Sequence, residues 1–153
     1  MNPKTLESKW QKKWAETKAY ESEPGGAKEK YFVNCPYPYM NGYLHLGHAF
    51  TYLRADMVSR YQRMQDKNVL FPFAFHCTGT PIVAAAQRVE EGEETQIKAL
   101  KQMGLSDTLI KKFSKPEEWT KHFPDKAIQD LKKFGASIDW RRSFITTSLN
   151  PPY

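Results

Sequence analysis

The sequence predicts an α/β fold, a parallel sheet carrying helices on its faces, and three observations carry that prediction. Two short β-prone runs, Tyr31 to Cys35 and Asn68 to Phe71, flank a long amphipathic segment. That segment, Leu46 to Met64, repeats Ala49, Leu53, Met57, Tyr61 and Met64 at helical spacing. Strand, loop, long helix, strand is a βαβ unit, whose strands normally run parallel. With 153 residues, 40% of them hydrophobic, the chain can bury one sizeable core.

The elements follow in order. Asn2 can cap a helix that begins at Pro3, and Leu6, Trp10 and Trp14 mark a stripe that would bury both indoles. Glu21 to Glu29, with Pro24-Gly25-Gly26, reads as a connector. Tyr31 to Cys35 lacks polar alternation, as expected of a strand buried on both faces. Pro36 to Gly42 is a rigid, turn-rich loop. Its Asn41-Gly42 would suit a hairpin, but no alternating strand follows.

After the second strand, Thr80-Pro81 can cap and start a helix whose inner face is Ile82, Ala86 and Val89. Beyond Gly92 the chain reads as short polar helices. Ile97 and Leu100 anchor one, Leu109, Ile110 and Phe113 another. Ser114 with Glu117 resembles a capping box around Pro116. Ala127, Leu131 and Phe134 form the inner face of a last helix, stopped by Gly135. Ser143 to Thr147 is β-prone, and Asn150-Pro151-Pro152-Tyr153 cannot extend a helix. About three candidate strands are few for an open α/β sheet.

Lys and Arg total 23 against 17 acids, a net charge of +6, which suits an anionic partner or a solubilising surface equally. Two cysteines are too few for a disulfide scaffold, so a reducing, cytoplasmic setting is expected. The opening residues show no secretory signal, and charges recur too often for a membrane span. Trp10, Trp14, Phe113, Trp119 and Phe123 read as packing residues. Arg60, Arg63, Lys111, Lys112, Lys132 and Lys133 read as solvated faces, some within reach of RNA. Trp140-Arg141-Arg142 could grip RNA, although a structural role near a domain junction is the preferred reading.

The chemistry concentrates between Pro38 and His48. A strand leads through a loop into a helix start, and His45 and His48 share one face of its first turn. Helix starts offer free amides and a partial positive charge to anionic oxygens, and two imidazoles can add donors there. Gly47 between them would let a flat base or a phosphate approach the backbone. A nucleoside triphosphate attacked at its α-phosphate fits this arrangement. A helix-capping histidine pair is the plainer alternative. A metal site with Cys35, His76 and Cys77 matches no standard zinc spacing.

Pro38-Tyr39-x-Asn41-Gly42-x-x-His45-Leu46-Gly47-His48 resembles the signature of the class I aminoacyl-tRNA synthetases. Asn68 to Ile82 resembles the second block of the leucine, isoleucine and valine enzymes. Cys35 to Gly42 with Phe75-His76-Cys77-Thr78-Gly79-Thr80-Pro81 is similar to leucine–tRNA ligases of the archaeal and eukaryotic cytosolic type. Asp139 to Thr147 resembles the approach to that family's editing-domain insertion. The resemblance implies the first half of a Rossmann-like nucleotide-binding domain over residues 31–153, preceded by an N-terminal helix and linker over 1–30.

The resemblance also implies roles. His45 and His48 would contact ATP phosphates, with Asn41, Gly42 and Gly47 completing the ATP site and Gly47 under the adenine. Pro38, Tyr39 and Met40 would wall the amino-acid pocket. His76 stands where related enzymes place an aspartate facing the substrate ammonium. As a neutral imidazole it could accept a hydrogen bond but carries no negative charge, and packing of its loop is the alternative. Implied partners are leucine, ATP with Mg2+ carried by its phosphates, and tRNA(Leu). An isoleucine or valine specificity, or a non-catalytic remnant binding nucleotide, tRNA or a partner subunit, are the competing readings. The family's Lys-Met-Ser-Lys-Ser-like loop does not occur in the 153 residues. The chain alone is therefore expected not to aminoacylate tRNA, being a truncated product or one piece completed by the remaining synthetase polypeptide.

Overall fold

The computed structural model describes residues 2–147, so the expectation for Asn150 to Tyr153 lies outside the described residues. The chain divides into two compact units. One comprises the residues up to Tyr37, then Leu44–Ala74 and Ile128–Phe144; the other comprises Pro38–Tyr43, Phe75–Ala127 and the residues from Ile145.

The first unit contains the expected βαβ element. Strand β1 (Lys30–Phe32) and strand β2 (Asn68–Leu70) are parallel, with Tyr31 opposite Val69. The Val33 amide extends the ladder to the Leu70 carbonyl at 2.9 Å. Between them runs α2 (Leu46–Met64), with the bounds its periodicity predicts. β1 is not buried on both faces, however: Phe32 is 62% exposed and Lys30 is also exposed. Its apolar run reflects β propensity, which a half-exposed strand satisfies equally well.

α2 departs further from expectation. Leu53, Met57, Tyr61 and Met64, from the apolar repeat that marks the helix, are exposed, whereas Tyr52, Asp56 and Ser59 are buried. The buried stripe can be polar because its hydrogen bonds are met, Ser59 by the Ala55 carbonyl of its own helix and Asp56 in part by a distant amide. Asp56 accepts the Ser137 amide at 2.6 Å and Arg60 Nε at 2.7 Å. Arg60 and Arg63, expected in solvent, are half-buried and tied down. Arg60 also donates to the Gly135 carbonyl, and Arg63 reaches Ser137 Oγ at 2.9 Å.

Helix α1 (Pro3–Glu16) starts as predicted, with Asn2 Oδ1 accepting the Lys4 amide at 3.0 Å. Its tryptophan stripe is not buried: Leu6 and Trp10 are each 40% exposed and Trp14 is half-buried. Together with Leu53 and Phe134 they line an open cavity of about 830 Å³. Phe134 is therefore half-exposed and does not belong to a closed inner face.

Asp139 anchors the end of this unit. Wholly buried, it accepts the Ser22 amide at 3.0 Å and Arg141 Nη2 at 2.8 Å. Arg141 also pairs with Glu21 and Glu23, while the Asp139 amide donates to the Phe71 carbonyl at 2.9 Å. This network gives Arg141 a structural role, and Trp140-Arg141-Arg142 forms a single 3₁₀ turn.

The second unit is mainly helical: α3 (Thr80–Glu90), α4 (Glu94–Gln102) and α5 (Asp107–Lys112). Ile82, Ala86 and Val89 are buried as predicted, and Ala85 joins them. Thr80 is the first helical residue and not the cap; Gly79, at φ 96°, takes the capping position with no side-chain bond. Helix α6 (Pro116–Phe134) runs unbroken through Pro124 and takes in both the start expected near Pro116 and the stretch Ala127 to Phe134. Ser114 does not close a capping box, because its hydroxyl donates back to the Lys111 carbonyl at 3.1 Å. Phe113, Trp119 and Phe123 form the aromatic core, and Trp119 Nε1 is satisfied by the Phe113 carbonyl at 2.7 Å. A second two-stranded sheet pairs β3 (Ala74–Phe75), which was not anticipated, with β4 (Phe144–Ile145) inside the expected β-prone run.

Candidate functional site

The predicted site residues gather in two clusters, one in each unit. In the first unit, His45 is the N-cap of α2, with extended backbone (φ −129°, ψ 175°), and His48 is its third helical residue. The two rings cap the helix reciprocally. His45 Nδ1 accepts the Gly47 amide at 3.1 Å, and His48 Nδ1 accepts the His45 amide at 3.2 Å. The imidazoles thus occupy the places that Ser and Glu hold in an ordinary capping box.

Two consequences follow for the chemistry. The amides expected to meet an anion are partly spoken for: Gly47 N–H by the His45 ring, and His48 N–H by the His45 carbonyl at 2.9 Å. A ring nitrogen that accepts a hydrogen bond carries no proton, so each neutral ring holds its proton on Nε2. The outward donors of this helix start are therefore two Nε2–H groups, with ring centroids 4.0 Å apart. His45 is exposed and His48 half-buried, its ring stacked near Tyr52 at 6.0 Å. Burial, and then the neighbouring His45, holds the His48 pKa below the usual histidine value, so the neutral form persists at neutral pH.

Gly47 has a local reason beyond ligand access. A Cβ there would lie 2.9 Å from His45 Cε1 and 3.1 Å from its Nδ1. Any side chain would push the ring off the helix start.

In the second unit the loop and His76 are joined by backbone. Tyr39 and His76 form an isolated parallel bridge: the Met40 amide donates to the His76 carbonyl at 3.0 Å, and the His76 amide to the Pro38 carbonyl at 2.8 Å. The Tyr39 ring lies 4.0 Å from the His76 ring and is partly exposed. Pro38 and Met40 are buried, so they set the loop's path and leave Tyr39 as its accessible aromatic surface. Asn41 is exposed, and Gly42 fits closely against Met103, whose Cε would lie 3.3 Å from an added Cβ. His76 Nδ1 sits 3.2 Å from Thr146 Oγ1 and 3.4 Å from Thr78 Oγ1.

Sequence reasoning missed Thr146, Thr78 and Tyr52. Thr146 is 70 residues from His76, and β4 pairing brings it there through its amide bond to the Phe75 carbonyl at 3.1 Å. No local pattern signals that proximity. Cys35 and Cys77 are both buried, and burial pushes each thiol up to about 11.

Against known proteins, the sequence matches the family described as "tRNA synthetases class I (I, L, M and V)" over residues 9–151. It is 49% identical over 150 residues to a leucine–tRNA ligase of Aeropyrum pernix, an alignment covering 98% of this chain and 16% of that protein. It is 39% identical to a cytoplasmic leucine–tRNA ligase of Pongo abelii, covering 98% of this chain and 17% of that one. The chain thus spans about one sixth of the length of these relatives. Among solved structures, an Agrobacterium radiobacter K84 ternary complex of agnB2 LeuRS, tRNA and LeuAMS aligns with a TM-score of 0.69 at 24% identity. That alignment covers 93% of this chain and 15% of the other, and it supports a common fold.

Proposed function

The chain belongs to the class I tRNA synthetases, within the leucine–tRNA ligase family, and on that premise we propose that it forms the first half of the domain that activates leucine with ATP. In the complete synthetase, leucine and ATP give leucyl-adenylate and pyrophosphate. A ribose hydroxyl of the terminal tRNA adenosine then takes the leucyl group. Mg2+ enters on the ATP phosphates. Residues 1–30 serve as helix and linker, and the segment after Asp139 leads toward the editing insertion. The setting is the cytoplasm; no helix among the described residues is long and apolar enough to cross a membrane.

The observation that carries this reading is the reciprocal capping of α2 by His45 and His48. It fixes both Nε2–H groups as donors before any substrate arrives. Preorganised donors stabilise charge developing on phosphate oxygens without reorganising in the transition state. The positive end of a 19-residue helix adds to the same effect. Gly47 serves the nucleotide side, to which the family motif also assigns Asn41 and Gly42; Pro38, Tyr39, Met40 and His76 serve the amino-acid side.

The test is pyrophosphate exchange by the complete synthetase containing this chain, with leucine, isoleucine and valine compared in parallel. Leucine supports exchange, and His45→Ala or His48→Ala lowers it by about 10²-fold with folding intact. Exchange with isoleucine or valine in its place would reassign the specificity. An unchanged rate in both variants would remove the histidines from the chemistry, and the isolated chain is expected to show no exchange.

A further inference from the structure

We propose that Thr146 is a positioning residue that holds His76 with its proton on Nε2, making His76 a hydrogen-bond donor to a substrate oxygen and not an acceptor for the substrate ammonium. The inference rests on the amino-acid-side reading of His76 given above, and it settles what that ring can offer.

The Thr146 hydroxyl lies among three polar groups, the Cys77 amide, the His76 ring and the Thr78 hydroxyl. Its oxygen accepts the Cys77 amide at 3.0 Å, so one lone pair is committed to a donor that cannot rotate away. Its proton then needs an acceptor. His76 Nδ1 lies at 3.2 Å, nearer than Thr78 Oγ1 at 3.4 Å. Thr78 Oγ1 is itself 3.4 Å from the same nitrogen, so two hydroxyl donors converge on Nδ1. A proton on Nδ1 would use the second lone pair of the Thr146 oxygen, leaving the Thr146 proton only Thr78 Oγ1 at 3.4 Å and giving the Thr78 proton no acceptor within the cluster. Placed on Nε2, it leaves Nδ1 as the acceptor on which both hydroxyl protons can converge.

The backbone makes this arrangement durable. The Thr146 amide is held to the Phe75 carbonyl at 3.1 Å, one residue before His76. The His76 amide and carbonyl are both held by the loop that carries Tyr39, and the Tyr39 ring lies 4.0 Å from the imidazole. The ring is thus fixed in position by one strand and one loop, and in tautomer by one hydroxyl. A neutral Nε2–H imidazole has no lone pair left on Nε2 for an ammonium. Its natural ligand is an oxygen, such as a carboxylate or the carbonyl of an acyl-adenylate.

Long-range 1H–15N correlation spectra of the 153-residue chain, recorded without leucine or ATP above the histidine titration range, read the tautomer directly. The expected result is Nε2–H for His76 in the wild type and in Thr146→Ser, which keeps the hydroxyl. In Thr146→Val, of the same shape but without it, the preference falls to a mixture or inverts. Nδ1–H in the wild type overturns the proposal even if the valine variant does not fold, and an unchanged tautomer in a folded Thr146→Val removes Thr146 from the role. Because no substrate is present, failure here leaves the leucine-activation reading to be judged by pyrophosphate exchange alone.

Discussion

Removing the carboxylate of Asp56 should destabilise the first unit by about 3 kcal/mol. Asp56 is 6% exposed and bonds two groups from different parts of the chain. One is the Ser137 amide at 2.6 Å, whose residue is wholly buried. In Asp56→Ala that amide loses its acceptor and no water takes over, at a cost of about 1–3 kcal/mol. The other is Arg60, held at 2.7 Å through Nε. Breaking a buried charge pair from one side costs about 3–5 kcal/mol. The Arg60 side chain is 35% exposed, however, so solvent recovers much of that loss. Arg60 also keeps its bond to the Gly135 carbonyl. The sum is about 3 kcal/mol for Asp56→Ala. Asp56→Asn should cost about 1–2 kcal/mol, because it retains one acceptor and the shape. Urea unfolding followed by circular dichroism measures both, read as a shift in midpoint at constant slope. A loss below about 1 kcal/mol for Asp56→Ala, with the slope unchanged, would refute the claim that a polar stripe holds α2 in place.

Asp139 makes a pH-dependent contribution. Burial works to raise its pKa, but bonds from Arg141 and the Ser22 amide outweigh it and hold the carboxyl below the usual aspartate value. A depressed folded pKa gives stability that is present above the unfolded value, about 3.9, and is lost as pH falls through the folded one. Acid unfolding of the wild type should therefore steepen below about pH 4, and Asp139→Asn should flatten that limb while lowering stability at pH 7. Gly47→Ala should separate site from stability. The new Cβ displaces the His45 ring, losing about 1 kcal/mol of capping, while the better helix former returns about 1 kcal/mol. Thermal stability should stay within a few degrees as the His45 Nε2–H preference disappears from the nitrogen spectrum, and retention of that preference would show that the ring does not depend on a bare Gly47.

Much of the fold could be read locally. The bounds of α2, the cap at Asn2, the inner face of α3 and the stop at Gly135 depend on residues within a turn or two of one another. Spacing and propensity report such short-range preferences faithfully. The same is true of the pairing of His45 with His48, three residues apart on one helical turn. What spacing could not report was which face of α2 turns inward. Its apolar residues invite burial, yet Tyr52, Asp56 and Ser59 are the buried ones. For Asp56 the partner is the Ser137 amide, 81 residues further along the chain.

By itself, then, the sequence determined the βαβ order, the helix that carries the two histidines, and the motifs that mark the family. Tertiary structure decided the orientation and protonation of the groups those motifs contain. Each ring's tautomer depends on what its Nδ1 meets: backbone amides of the same turn for His45 and His48, and a hydroxyl delivered by a distant strand for His76. A hydrogen bond has a donor end and an acceptor end, and residue identity fixes neither for histidine until the partner is in place.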